Sequence, residues 1–185
     1  NFLVVTNNAY KNLVLEHIPE LNESQVLCEP FRRNTAPCIA YAAYSLQKAN
    51  PNAKMIVTPS DHLILNEVDF HTIVTDCLEY ADANNVLMTV GIRPSRPETG
   101  YGYIQAIVDA DGDFKPVKTF TEKPNLELAK VFVNSGEFFW NSGVFMWSVK
   151  TIDAAFKEFL PEISQKFESG MDKMNTEEEQ SFIDE

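Results

Sequence analysis

A chain of 185 residues, 44% hydrophobic and 23% charged, has the length and balance of one globular domain with a sizeable core. Its formal net charge of -12 argues against nucleic acid or an anionic membrane as a partner, and no apolar run is long enough to span a bilayer. Cys28, Cys38 and Cys77 form no CxxC pair and cannot all be bridged, which suits buried free thiols in a reducing cytoplasm.

An acidic total leaves room for an anionic small molecule, because a few placed cations and a metal reverse the local field. The start, NFLVVTNNAY, has no charged leader, no cleavage site and no initiator Met, and reads as the inside of a strand. Residues 2–5 are expected as that strand, 8–18 as a helix ending near His17, and 25–28 as the next strand. The strand leads into Glu29-Pro30 and then Phe31-Arg32-Arg33-Asn34-Thr35-Ala36-Pro37. Asn34 or Thr35 can cap a helix running to about residue 49, and Pro37 fits its first turn. Ile39, Ala43 and Leu46 mark its buried stripe, while Ala40 and Ala42 allow a close neighbour. A helix start beside two arginines suits a phosphate or a polar base edge, and equally suits an ordinary capped helix.

Lys54-Met55-Ile56-Val57 then reads as a strand buried on both faces of a parallel sheet, followed directly by Thr58-Pro59-Ser60-Asp61-His62. The carboxyl end of such a strand is where open α/β sheets bind ligands, so Asp61 stands where a phosphate-bound metal would sit. A turn-forming role for Asp61 is the competing reading. A helix over 69–83, with Phe70, Ile73 or Val74, Cys77 or Leu78, and Ala81 inside, and a strand over 86–91 complete an alternation that argues for parallel strands joined by helices.

The pattern changes at Ile92. Pro94, Pro97, Gly100 and Gly102 shape the loop RPSRPETGYGYIQA, which opens into a strand over 103–107. Gly100-x-Gly102 lacks the third glycine and the helix of a dinucleotide fingerprint. DADGD at 109–113 reads as a hairpin turn, too short for a calcium loop. The returning strand, 115–122, ends in Phe120-Thr121-Glu122-Lys123-Pro124, which can offer an acceptor to sugar hydroxyls and a cation to a phosphate, or form a surface ion pair. After a helix over 125–134, the run FFWNSGVFMW is apolar apart from Asn141-Ser142-Gly143, which suggests a bulge, a close ligand approach or a satisfied buried Asn. A helix over 151–160 stops at Pro161, and an acidic, helical stretch follows.

Taken in order, EPFRRNTAP, TPSDH, GIRPSRPETGYGYI, FTEKP and NSGVFMW resemble the mannose-1-phosphate guanylyltransferases, or GDP-mannose pyrophosphorylases, over residues 2–160. The resemblance implies a Rossmann-like α/β nucleotidyltransferase fold with a mixed, mostly parallel sheet between helices. It implies transfer of a guanylyl group from GTP to mannose 1-phosphate with Mg2+, giving GDP-mannose and pyrophosphate. Asp61 matches the family's metal-binding aspartate, with Pro59 and Ser60 in the same segment beside the nucleoside. Glu29, Pro30, Asn34, Thr35 and Ala36 match the nucleotide-side motif. Gly102 and Tyr103 match the sugar-side loop, Glu122 a sugar-hydroxyl ligand, Lys123 a sugar-phosphate ligand, and Asn141 and Gly143 the polar break near the sugar. The family's glycine-rich loop has no counterpart before Asn1, and its second metal-binding aspartate is expected beyond Glu185. Residues 1–185 are therefore expected to be one truncated catalytic domain, inactive by itself, and a homo-oligomer is allowed. The alternatives are a transferase for another base or sugar and a non-catalytic nucleotide-sugar binding module.

Overall fold

The computed structural model describes residues 2–31 and 34–185. Arg32 and Arg33, expected beside a phosphate, lie outside the described residues. The chain divides into two compact units, the first formed by Asn1–Met55, Thr72–Leu87 and Trp147–Glu185, the second by Ile56–His71 and Met88–Met146.

In the first unit, β1 (Val4–Asn7) and β2 (Val26–Glu29) pair in parallel from Val4 opposite Val26 to Asn7 opposite Glu29. Parallel strands need a crossover, supplied by a 3-10 turn at Asn8–Tyr10 and α1 (Lys11–His17). Asn7 starts that turn by accepting from the Ala9 N–H at 3.1 Å. Leu21, Val26 and Cys28 form a small core against Val4, Val14, Leu15 and Ile18.

Helix α2 (Thr35–Ala49) packs on β2 and on α5 (Val149–Phe159) and α6 (Pro161–Ser169); α3 (Glu67–Asn84), α4 (Leu126–Ser135) and α7 (Glu179–Ile183) are the other α-helices described. The expected stripe is only half right. Ala40 through Ser45 are buried without a break, whereas Ile39 and Leu46 are half-buried. A helix with neighbours on several sides buries more than one face, and a single amphipathic stripe does not capture that. Tyr44 is 1% exposed, stacks on Phe167 at 5.1 Å, and bonds through its hydroxyl to Asp153 (2.9 Å) and Ser164 (3.0 Å). Pro161 both ends α5 and opens α6, where its missing N–H costs nothing.

Most strands of the second unit belong to one sheet. Strand β3 (Lys54–Val57) heads a five-stranded sheet of order β3-β7-β5-β6, and β4 (Met88–Ile92) also pairs with β7 (Phe138–Ser148). Strands β5 (Tyr103–Ala106) and β6 (Val117–Thr121) form the expected hairpin around the acidic turn. The fold class is the mixed α/β arrangement of strands and flanking helices that the resemblance implied, but the sheet is not mostly parallel: β1–β2 pair in parallel, whereas β4–β7, β5–β6 and β5–β7 are antiparallel. Strand β3 is not buried on both faces, since Met55 is 7% exposed and Ile56 41%. It ends the strand order, and a strand at that place need not be covered on both sides.

Candidate active site

Two turns after strands carry candidate residues, Pro59-Ser60-Asp61 expected beside the nucleoside and Glu122-Lys123 expected at the sugar phosphate, and both belong to the second unit. The first follows β3. Asp61 lies there in a turn, exposed and with no ion pair among the described residues. Pro59, two residues earlier, touches the place where β7 breaks: a Cβ on Gly143 would sit 3.0 Å from Pro59 Cγ. Gly143 has φ +73, a conformation that favours glycine, so backbone and contact both call for that residue.

The break itself is a bulge. Gly91 pairs with Asn141 but Thr89 with Phe145, so β7 carries extra residues opposite one stretch of β4. Asn141 Oδ1 accepts from the Gly143 N–H at 3.0 Å, and Ser142 Oγ donates to the Val90 carbonyl at 2.6 Å while accepting from the Val144 N–H. Of the readings the NSG trio admits, the bulge is present and its polar groups satisfy the displaced backbone. The Asn141 amide NH2 has no partner among the described residues, which leaves a donor pair for a ligand.

The second turn follows β6. Lys123 has φ +44, and its Nζ lies 3.5 Å from Glu122 Oε1. Both side chains are well exposed, at 65% and 70%, so the ion pair alone contributes little and its members are available to a ligand. Gly102 meets Glu122: a Cβ there would lie 2.6 Å from Glu122 Oε2 and 3.5 Å from Asn141 Cβ. The Gly102 carbonyl accepts from the Asn141 N–H at 2.8 Å. Gly102, Glu122 and Asn141, far apart in sequence, thus converge on one spot, with Lys123 at its side.

Tyr103 has a different part from the one expected of it. It is fully buried, packed with Ala129, Phe132 and Trp140, and its hydroxyl both donates to the Glu98 carbonyl (3.0 Å) and accepts from the Glu98 N–H (2.9 Å). A phenol so placed is an anchor for the loop. Sequence reasoning passed over Glu98, whose Oε1 accepts from the Thr99 and Gly100 N–H groups at 3.0 Å each and whose Oε2 takes Arg96 at 3.0 Å. The Gly100 N–H foremost, then Arg96, hold its carboxyl below the usual range. An acid just before Thr-Gly in a proline-framed loop was the available signal. Arg96 also lies over the Trp140 ring at 5.5 Å, and Tyr101 meets that ring edge-on at 5.3 Å.

The nucleotide-side motif lies in the first unit. Glu29 ends β2, where its Oε2 accepts from the Phe31 N–H at 2.9 Å and Asn7 Nδ2 donates to its carbonyl at 3.0 Å. Asn34 precedes Thr35 as expected, but with φ 72 and no side-chain cap bond, so the predicted capping chemistry is absent. Its carbonyl instead accepts from the Cys38 thiol at 3.4 Å. Burial, then the Glu29 carboxylate, pushes that thiol up, which argues against a nucleophile there. Thr35 and Ala36 open α2, and Glu29, Pro30, Phe31, Pro37 and Tyr41 line one side of a cavity of about 360 Å³. That volume lies within the range of small-molecule sites.

A nucleotidyl transferase family model matches residues 1–185. The chain belongs to the nucleotidyl transferase family. Among members of the family with similar sequences, a mannose-1-phosphate guanylyltransferase of Escherichia coli is 38% identical over 166 residues, 87% of this chain and 35% of that protein. The Salmonella montevideo enzyme of the same name is 41% identical over 146 residues, 75% of this chain and 30% of that protein. The chain thus spans about a third of the length of these relatives. A mannose-1-phosphate geranyltransferase structure from Thermus thermophilus superposes with a TM-score of 0.82 at 25% identity, over 97% of this chain and 51% of that one. A mannose-6-phosphate isomerase structure from Helicobacter pylori gives 0.77 at 32%, over 92% and 64%. Neighbours with different names on one fold leave the chemistry to be argued from the site.

Proposed function

We propose that the complete protein transfers a guanylyl group from GTP to mannose 1-phosphate, giving GDP-mannose and pyrophosphate in the cytoplasm. The observation that carries the reading is the convergence of Gly102, Glu122 and Asn141 beside Lys123, an arrangement suited to a sugar that bears a phosphate. Glu122 would accept from sugar hydroxyls, the Asn141 NH2 would donate to one, and Lys123 would neutralise the phosphate. The guanine would meet Glu29, a carboxylate able to accept from its N1–H and N2–H donors, in the cavity beside the start of α2. The relatives' names agree with these substrates, and three free cysteines agree with a reducing compartment.

The chemistry needs no side-chain base. A phosphate monoester has its second pKa at about 6, so mannose 1-phosphate is already mostly dianionic near neutrality. Its oxygen attacks the α-phosphorus of GTP, the bond from that phosphorus to the bridging oxygen breaks, and pyrophosphate leaves with the electron pair. The work left to the chain is to hold two anions in line and offset their repulsion. Magnesium takes oxygen ligands and commonly sits on one or two carboxylates plus substrate phosphates, so Asp61, exposed and without an ion pair among the described residues, fits as its protein ligand. Bound there, the ion would supply charge neutralisation on the phosphates. Asp61→Asn keeps the shape and removes that charge. Turnover by the complete protein should fall by about two decades or more at limiting magnesium, with an unchanged fold by circular dichroism. Near-wild-type turnover would reduce Asp61 to a turn former.

A further inference from the structure

The loop over 96–103 is clasped from two sides, and both clasps meet at Glu98. Its side chain closes the turn ahead of it by accepting the Thr99 and Gly100 N–H groups, and its main chain is held behind by the buried Tyr103 hydroxyl. The segment so closed contains Gly102, whose Cα faces the Glu122 carboxylate and whose carbonyl holds the Asn141 N–H. Gly102 is therefore set in place from both directions, by Asn141 on one side and by the Glu98–Tyr103 clasp on the other.

The outer oxygen of Glu98 adds a charged tie. Arg96 reaches it while lying over Trp140, a side chain 9% exposed whose indole N–H has no hydrogen-bond partner among the described residues. With Tyr101 at the edge of the same ring, the loop is fastened to the sheet by aromatic contact as well as by hydrogen bonds. A loop ordered before the ligand arrives costs less to order upon binding.

We infer that Glu98 is a positioning residue for the sugar 1-phosphate: by closing the 98–103 turn onto the Tyr103 hydroxyl, it fixes Gly102 against Glu122 and so sets the place where the sugar lies. The inference rests on the guanylyl-transfer reading and deepens it. Glu98 touches no substrate and acts through Gly102. Its effect falls on one substrate only, because the nucleotide-side residues occupy β2, the start of α2 and the turn after β3, whereas the hydrogen bonds of Glu98 go to Arg96, Thr99, Gly100 and Tyr103.

The test uses the complete protein with Glu98→Ala and Glu98→Gln. Glutamine keeps an oxygen that can accept the Thr99 and Gly100 N–H groups; alanine keeps neither the acceptor nor the charge. In Glu98→Ala the KM for mannose 1-phosphate should rise about tenfold or more, with the KM for GTP within about twofold and the thermal midpoint little changed. Glu98→Gln should recover most of that loss. Equal rises in both KM values, no rise at all, or a glutamine variant as impaired as alanine would overturn the positioning role. Wild-type protein that shows no turnover dependent on mannose 1-phosphate would instead overturn the guanylyl-transfer reading and the inference with it. Active wild type matched by Glu98→Ala would overturn the inference alone.

Discussion

Gly102 and Glu122 are neighbours across the β5–β6 hairpin, so close that a methyl group on the glycine would lie 2.6 Å from Glu122 Oε2. This contact brings the loop after β4 to the turn after β6, and Asn141 joins them from β7. The sugar-side residues are thus placed by strand pairing that persists whether or not a ligand is bound.

Gly102→Ala should push the Glu122 carboxylate aside without breaking the sheet, because the obstructing atom is the end of an exposed side chain. Calorimetry with the complete protein should show affinity for mannose 1-phosphate falling about tenfold or more while GTP binding holds. Unchanged sugar-phosphate affinity would show that Glu122 does not bind the sugar from this position.

Lys123→Ala reports on charge. Lysine already occupies the left-handed region at φ 44, and alanine fits there no worse, so backbone strain is matched. Loss of the cation should weaken mannose 1-phosphate by roughly 1.5–3 kcal/mol, about one to two decades, and leave GTP nearly unaffected. Equal weakening of both, or of GTP alone, would move Lys123 off the sugar phosphate.

The buried tyrosines of the first unit give a pH prediction. Burial foremost, with Asp153 adding to it, pushes the Tyr44 phenol up to about 12, and burial with the Glu179 hydrogen bond raises Tyr41 as well. Both are above the unfolded value of about 10. For Tyr44 the raised pKa means its contribution to stability is complete below about pH 10 and is lost as the pH climbs through about 12, and Tyr41 acts in the same direction. Absorbance titration should leave at least Tyr41 and Tyr44 un-ionised until the fold opens. Ionisation of both near pH 10 in folded protein would contradict the burial.

Much of this was legible in the sequence because it is local. Apolar runs and turn residues placed β1 to β6 to within a few positions, and the Asn141-Ser142-Gly143 trio pointed to a break because it interrupts an otherwise apolar run, which forms β7. What periodicity could not show was which neighbours each element would have. Helix α2 was read as one-faced and is buried along Ala40–Ser45, and β3 was read as two-faced and leaves Ile56 open. At the site, the hold of the Tyr103 hydroxyl on Glu98 was not foreseen, and Glu98 went unremarked. Both have one cause, since a side chain's partner across a loop is set by how the loop closes. Asn34 is the converse case, with the residue type of a cap and a backbone angle that does not use it.

The most direct measurement is pyrophosphate release by the complete protein from mannose 1-phosphate and magnesium with GTP, ATP, UTP or dTTP in turn. Release should require mannose 1-phosphate and be fastest with GTP, with GDP-mannose formed in equal amount. Release that ignores mannose 1-phosphate, or that favours another nucleotide, would contradict guanylyl transfer to this sugar.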